Sequence, residues 1–378
     1  MDIQTFAHTS SGGWGTTGFP AWDSPSTLVL VFGPSRRIDD PGPLAELLSA
    51  YPNSHVIGCS TSGEIHGTSI DDDSLSVAVC RFAHTRLRSA GAEVGQDAGD
   101  SARAGREIAA SLMADDLKSV LVISDGIRVN GAELVRGLND VLPPWVVVTG
   151  GLAGDGDRFQ RTWVIAQGRL ARNRISAVGF YGDRIHVAHG SKGGWDAFGP
   201  QRIVTRSQGN IVYEIDGRPA LALYKEYLGD RAAGLPATAL LFPLGLLEKD
   251  AAPLVRTILS IDEAAQSMTF AGDVPQGHHV QLMRGVFGRL VDGAADAGRE
   301  TAAAVREGAP GLAIAISCVG RRLVLGQRAE DEVEAAREAL PAGANLVGFY
   351  SYGEISPSGF GPCNLHNQTM TLTHFQEL

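Results

Sequence analysis

The sequence predicts an α+β protein: two related lobes of mixed and antiparallel sheets, layered as a sandwich with the helices outside. Three observations predict it. Short apolar or alternating β-prone runs recur along the whole chain. Amphipathic helical stretches interrupt them without strict βαβαβ alternation, so a doubly wound sheet is the weaker reading. One short motif occurs in both halves, about 290 residues apart. The 378 residues also exceed the ~100–200 of one typical domain.

The elements follow in order. Residues 1–26, rich in Ser, Gly, Thr, Trp and Pro, read as an irregular N-terminal arm. Leu28–Phe32 is a buried strand, Pro43–Ala50 a helix with Leu44, Leu47 and Leu48 on one side, and His55–Gly58 a short strand. Leu75–Phe82 and Thr85–Val94 alternate and are separated by a tight connection, which predicts a hairpin. Asp100–Ala114 places Ala104, Ile108 and Leu112 on one helical face. Ser119–Ser124 is a buried strand, Gly131–Val141 a helix stopped by Pro143-Pro144, and Val146–Thr149 a strand. A meander follows at 162–166, 175–181, 185–189, 203–206 and 211–215. Asp216-Gly217-Arg218-Pro219 is a turn into the helix Ala220–Leu228. Strands at 239–244, 254–261, 267–270 and 279–283 precede a long Ala-rich helix, Gly285–Glu307. The strand Leu312–Val319, the helix Asp331–Leu340 and strands at 345–352 and 369–375 complete the chain.

Composition removes several function classes. The formal net charge of −10 disfavours a nucleic-acid binder, which normally shows a basic face. The four cysteines Cys59, Cys80, Cys318 and Cys363 form no C-x-x-C pair, so neither a disulfide scaffold nor a zinc ribbon is expected. The N-terminus lacks a secretory signal pattern and no apolar run reaches ~20 residues, which predicts a cytoplasmic protein off the membrane. Glycine stands out, 47 of 378 residues, and predicts tight turns and backbone-lined sites.

The repeated motif is Gly58-Cys59-Ser60-Thr61-Ser62-Gly63-Glu64-Ile65 in the first half and Gly348-Phe349-Tyr350-Ser351-Tyr352-Gly353-Glu354-Ile355 in the second. These segments resemble the FIST family of sensory proteins. So do Gly150-Gly151-Leu152-Ala153-Gly154-Asp155, Asn210–Ala220, Ser317-Cys318-Val319-Gly320-Arg321 and the run Ser356-Pro357 followed by Leu365-His366-Asn367-Gln368-Thr369-Met370. The resemblance implies an arm (1–26), a FIST N-terminal domain (27–205) and a FIST C-terminal domain (206–378). It implies a non-enzymatic, small-molecule-binding sensory module that feeds a separate signalling protein such as a histidine kinase or cyclase, since no such segment follows in the chain. Some family members are similar in fold but bind heme and respond to nitric oxide.

The residues themselves support several chemistries. Glu64 and Glu354, each after a glycine, would grip a ligand amine or cap backbone N–H groups. Ser60, Thr61, Ser62 and Gly63 offer hydroxyl and amide donors to a carboxylate, or form a plain turn. Gly151, Gly154 and Asp155 form a loop after a buried strand with the wrong spacing for a dinucleotide fingerprint. Arg321 offers a bidentate fork or a structural ion pair, and Arg322 points the other way if the strand continues. Tyr350 and Tyr352, two apart on a strand, face a ligand or the core. Cys59 and Cys318 read as core residues. The expectation is a cleft at which these segments converge and bind a zwitterion such as an amino acid, with no cofactor. The alternatives are a non-covalent heme sensor of nitric oxide, with His366 as ligand, and a hydrolase using Cys59 or Ser60.

Overall fold

The computed structural model describes residues 1–95, 100–247, 253–306, 310–357 and 361–378. It is an α+β structure of four sheets with helices on their outer faces. Three of the sheets are built to one plan. In each, two parallel strands are joined through a helix, an antiparallel strand flanks the first of them, and another strand lies beyond that.

The first unit pairs Thr27–Gly33 with His55–Ser60 through the helix Gly42–Ala50, then adds Ser74–Arg81 and Asp2–Thr9. The second pairs Leu117–Ser124 with Val147–Leu152 through the helix Gly131–Asn139, then adds Arg174–Tyr181 and Arg86–Glu93. The third pairs Gly311–Cys318 with Ala344–Ser351 through the helices Val319–Leu325 and Ala329–Ala339, then adds Met370–Glu377 and Ile185–Lys192. The free edge of each second strand is closed by a hairpin from another unit. Glu64–His66 leaves the first unit and pairs with Ala344–Ser351 of the third. Gly353–Pro357 leaves the third and pairs with Val147–Leu152 of the second. Val164–Ala166 leaves the second and pairs with His55–Ser60 of the first. The exchange is cyclic, and it removes edge strands that would otherwise expose unpaired backbone groups.

Three hydrogen bonds close the cycle where the strands end. Ser62 N donates to Tyr350 O at 2.8 Å, Gly154 N to Ser60 O at 2.8 Å and Tyr352 N to Leu152 O at 3.1 Å. Each joins a different pair of units at the same position of the plan. Inside, one apolar core draws on all three sheets: Phe32 meets Phe349 with ring centroids 4.7 Å apart, and Phe180 stacks on Phe375 at 4.6 Å. Both faces of the central strands are therefore covered, which is why Thr27–Gly33 and Gly311–Cys318 read as continuous apolar runs and are buried throughout.

The outer faces carry the helices. Asp100–Leu112 buries Ala104, Ile108 and Leu112, as its periodicity predicts, and packs on Gly131–Asn139, whose N-cap Asn130 accepts the Glu133 N–H. Phe287–Ala304 packs on Ala329–Ala339 over the third sheet. The helix ends at Ala304, where Val305 turns extended, short of the predicted bound; Glu307 lies outside the described residues. The fourth sheet spans the strands from Trp195 to Gly285, has its own core with the helix Ala220–Leu228, and is inserted between Ile185–Lys192 and Phe287–Ala304.

Local readings differ from the structure at identifiable places. The arm contains the strand Asp2–Thr9, which pairs with Ser74–Arg81. The predicted hairpin does not form: Ser74–Arg81 and Arg86–Glu93 belong to different sheets, and 82–85 is the crossing from the first unit to the second. Residues 182–184 make the equivalent crossing to the third unit. Glu377 fixes the first crossing by accepting N–H groups of Ala83, His84 and Thr85 at 2.6–2.8 Å. Burial opposes its ionisation, but those donors hold its carboxyl down at about 2. Among the described residues no helix is long and apolar enough to cross a membrane.

Very close backbone approaches recur at equivalent glycines. Gly58, Gly150 and Gly348 face Val31, Val122 and Ala315 in the three parallel pairs, and a Cβ there would overlap that residue's carbonyl oxygen. We expect Gly348→Ala to cost about 3 kcal/mol or more in urea unfolding, because a ladder carbonyl cannot yield. Gly288→Ala, with open space around it, gains up to about 1 kcal/mol. Equal effects would refute the close-approach reading.

Candidate functional site

All six parallel strands run toward the end of the molecule where the hydrogen-bond ring lies, so their C-terminal loops meet there. Ligands bind at the carboxyl ends of strands in open α/β sheets for the same reason: the loops are free to vary while the strands position them. A cleft of about 410 Å³ opens at this junction. Its walls are Thr61–Gly63 of the first unit, Gly156–Arg158 of the second and the start of the helix Val319–Leu325 of the third.

The strand-end candidates do come together, but most are buried and held internally. Ser60 Oγ accepts the Trp163 N–H at 3.0 Å. Thr61 Oγ1 accepts the Gly63 N–H at 3.1 Å and donates to Glu64. Glu64 also receives Ser74 N at 3.1 Å and Ser74 Oγ at 3.3 Å. Glu354 repeats this arrangement: Ser351 Oγ donates at 2.6 Å, and Thr369 N and Oγ1 donate at 3.1 and 3.0 Å. Both carboxyls are secured by a hydroxyl three residues earlier and by the residue leading into the next strand. Burial pushes each up to about 8, against the downward pull of these donors.

Arg321 is fully buried. Its guanidinium pairs with Glu332 at 2.7 Å, donates to Leu290 O at 2.7 Å and also reaches Gly193 O. Ser317 Oγ and Tyr350 Oη donate to Glu332 Oε1 at 2.9 and 2.7 Å, which completes a buried network under the helix. The strand ends at Cys318 rather than continuing, so Arg321 and Arg322 lie about 100° apart on a helix. One points into the core and the other into the cleft. Asp155 is buried too: it takes donors from Ser35, Arg158 and the backbone N–H groups of Gln160 and Arg161. Burial works against its ionised form, but these donors keep the carboxyl below its ordinary range.

Gly151 and Gly154 are packing positions. A Cβ on Gly151 would lie 2.9 Å from Ile316 Cγ2, and one on Gly154 would lie 2.7 Å from Ser62 N. Tyr352 stacks on Phe159 with centroids 4.3 Å apart, and its hydroxyl accepts the Phe159 N–H at 3.2 Å and donates to Gly156 O at 3.0 Å.

The accessible chemistry belongs to their neighbours. Arg322 donates to Ser62 O at 2.6 Å and to Asp72 Oδ2 at 3.0 Å, and lies 5.4 Å from the Tyr350 ring. Arg158, Asp157 and Asp72 are exposed along the same cleft. Gly63 has φ +133°, and a Cβ there would lie 2.5 Å from the Arg322 guanidinium, so only glycine leaves that group its place. Sequence reasoning named Arg322 only as the oppositely directed neighbour of Arg321, and missed Arg158, Asp157 and Asp72. The available signal was the Arg-Arg pair at a strand end, which separates only if a helix starts there.

The residues of the two alternatives are placed differently. Cys59 is fully buried in the shared core, and burial together with Glu64 raises its thiol well above the ordinary range. His366 lies on a strand paired with Glu354, and its Nε2 is 3.1 Å from Ser356 O. Burial pushes its imidazole down to about 4. With that nitrogen engaged and the ring buried, His366 does not fit a heme ligand.

Comparisons with known proteins agree with the tandem organisation. A family model described as the FIST N domain matches residues 27–218, and one described as the FIST C domain matches 220–357. No curated protein matches the sequence. Among solved structures, cyanuric acid hydrolase from A. caulinodans aligns over 100% of this chain and 98% of its own, at 10% identity and a TM-score of 0.35. Phosphoribosylformylglycinamidine synthase II from Thermotoga maritima aligns over 94% and 67%, at 8% identity and a TM-score of 0.17. Similarity this low carries no argument about activity.

Two outcomes follow from the buried groups. Glu332→Ala strands the Arg321 charge in the core and is expected to cost about 3–5 kcal/mol in chemical denaturation, whereas the double variant Arg321→Met/Glu332→Leu recovers much of it. A double variant no better than the single would refute the network. Glu64 and Glu354 titrate higher folded than unfolded, so their contribution is full below about pH 4.5 and is lost as pH rises through about 8. Melting temperatures from pH 5 to 9 should fall less steeply for Glu354→Gln than for the wild type; parallel curves would contradict the assignment.

Proposed function

For a chain that belongs to the FIST family, whose domains are sensory domains of signal-transduction proteins, we propose a sensor that binds an amino acid or similar zwitterion in the strand-end cleft. One observation carries this reading: at the junction of all three units, charged groups of both signs, Arg322, Arg158, Asp72 and Asp157, line one cleft. Arg322 and Arg158 suit a ligand carboxylate, as guanidinium forks do. Asp72 and Asp157 suit its ammonium. The buried Thr61–Gly63 turn, whose hydroxyl and amide groups are engaged by Glu64, Tyr350 and Gly156, forms the floor between them. A cleft of about 410 Å³ matches a small metabolite.

Such a sensor needs no resident cofactor and no catalytic step. The buried ends of the earlier candidates serve it indirectly: Glu64, Glu354 and Arg321 hold the loops whose outer residues meet the ligand. A ligand bridging Arg322 and Arg158 would tie the third unit to the second. That is a change a separate cytoplasmic partner, such as a histidine kinase or cyclase, would read at the surface.

Thermal shift with the twenty L-amino acids, one at a time, tests it. A ligand at 100 times its Kd stabilises the folded state by about 2.7 kcal/mol, which raises Tm by several degrees. At least one amino acid is expected to do so with the wild type and to lose most of the effect with Arg322→Gln. No shift with any of them, or an undiminished shift in the variant, would overturn the reading.

A further inference from the structure

The pseudo-threefold plan generates a second cleft of the same origin. The first lies where the Thr61–Gly63 turn of one unit meets the strand end of the third. The equivalent turn of the third unit, Ser351–Gly353, meets the strand end of the second at Gly126–Asn130. There a cavity of about 380 Å³ is found, with Tyr352 at the ring position that Ser62 occupies in the first. The inserted fourth sheet closes it, contributing Ser260 and Thr269 from the strands Ile258–Asp262 and Ser267–Phe270.

Its chemistry differs from that of the first cleft. Among the described residues no carboxylate lines it, and Arg128 is the only charged one that does. Arg128 is exposed and has no ion-pair partner among the described residues. Its backbone is nonetheless fixed: the N–H groups of Ile127 and Arg128 both donate to the buried Asp125, at 2.9 and 2.7 Å. Ile127 presents 39% of its surface, and Phe159 stands beside it, backed on one face by Tyr352. Phe159 adopts φ 52°, a left-handed conformation that a bulky residue occupies at a cost, and the Tyr352 contacts hold it there. A flat aromatic wall beside one unopposed guanidinium is a complementary surface for one kind of ligand.

We infer that this cleft is a second binding site, distinct from the first, and that it takes a small aromatic monocarboxylate. The ring lies against Phe159 and Ile127, and the carboxylate pairs with Arg128. Ser260 and Thr269 supply hydroxyls from the inserted sheet, so occupancy bridges that sheet to the second unit.

Isothermal titration of the full chain with sodium phenylacetate, at constant ionic strength, tests this. Saturable binding is expected for the wild type, weakened at least tenfold by Arg128→Gln and unchanged by Arg322→Gln. Phenylacetamide, which keeps the ring and lacks the charge, should bind the wild type at least tenfold more weakly. That comparison needs no variant to fold. Absence of saturable binding, equal affinity for acid and amide, or loss of binding in Arg322→Gln in place of Arg128→Gln would overturn the inference.

Discussion

The structure depends on one constraint: no unit completes its own sheet. Each exports a hairpin to one neighbour and receives one from the other, and the three bonds Ser62 to Tyr350, Gly154 to Ser60 and Tyr352 to Leu152 lock the exchange. The backbone must cross very close to its partners for this to work. That is why Gly58, Gly150 and Gly348 recur at one position of the plan. The exchange also forces every strand-end loop to the same end of the molecule, so a cleft with walls from three different units is a consequence of closure rather than a separate device.

Burial then sorts the polar residues into two groups. Glu64, Glu354, Asp155 and Arg321 are taken out of water, and each is compensated by hydroxyls, backbone groups or an opposite charge. Neighbours in sequence reach the cleft: Asp157 and Arg158 beside Asp155 are exposed, and Arg322 beside Arg321 is half-buried. The loop from Gly154 to Arg161 is a wall of both clefts. Gly156 and Arg158 face the first and Phe159 the second, while Gly156 O accepts from Tyr352 Oη.

Much of this was legible in the sequence. The α+β class, the apolar strands and the helical face of Ala104, Ile108 and Leu112 followed from periodicity. The Gly-Glu-Ile echo marked two equivalent positions. The third copy was hidden because its chemistry moved: Val164 stands opposite Cys59 where Glu64 stands opposite Phe349, and Asp125 receives Asn173 N and Thr162 Oγ1 instead. The crossings at 82–85 and 182–184 were read as strand-to-strand turns within a sheet because connection length does not reveal which sheet a strand joins. Arg322 was obscured because a strand and a helix send adjacent side chains in different directions, and nothing local to Ser317-Cys318-Val319 shows where one becomes the other.

The central claim is that the junction of the three units is where a zwitterionic ligand is held. The most direct measurement is a crystal structure from crystals soaked in a mixture of amino acids. The account predicts difference density between Ser62, Gly156–Arg158 and Arg322, with the Arg322 guanidinium on a carboxylate. Ordered amino acid bound elsewhere, with the junction filled only by solvent, would contradict it.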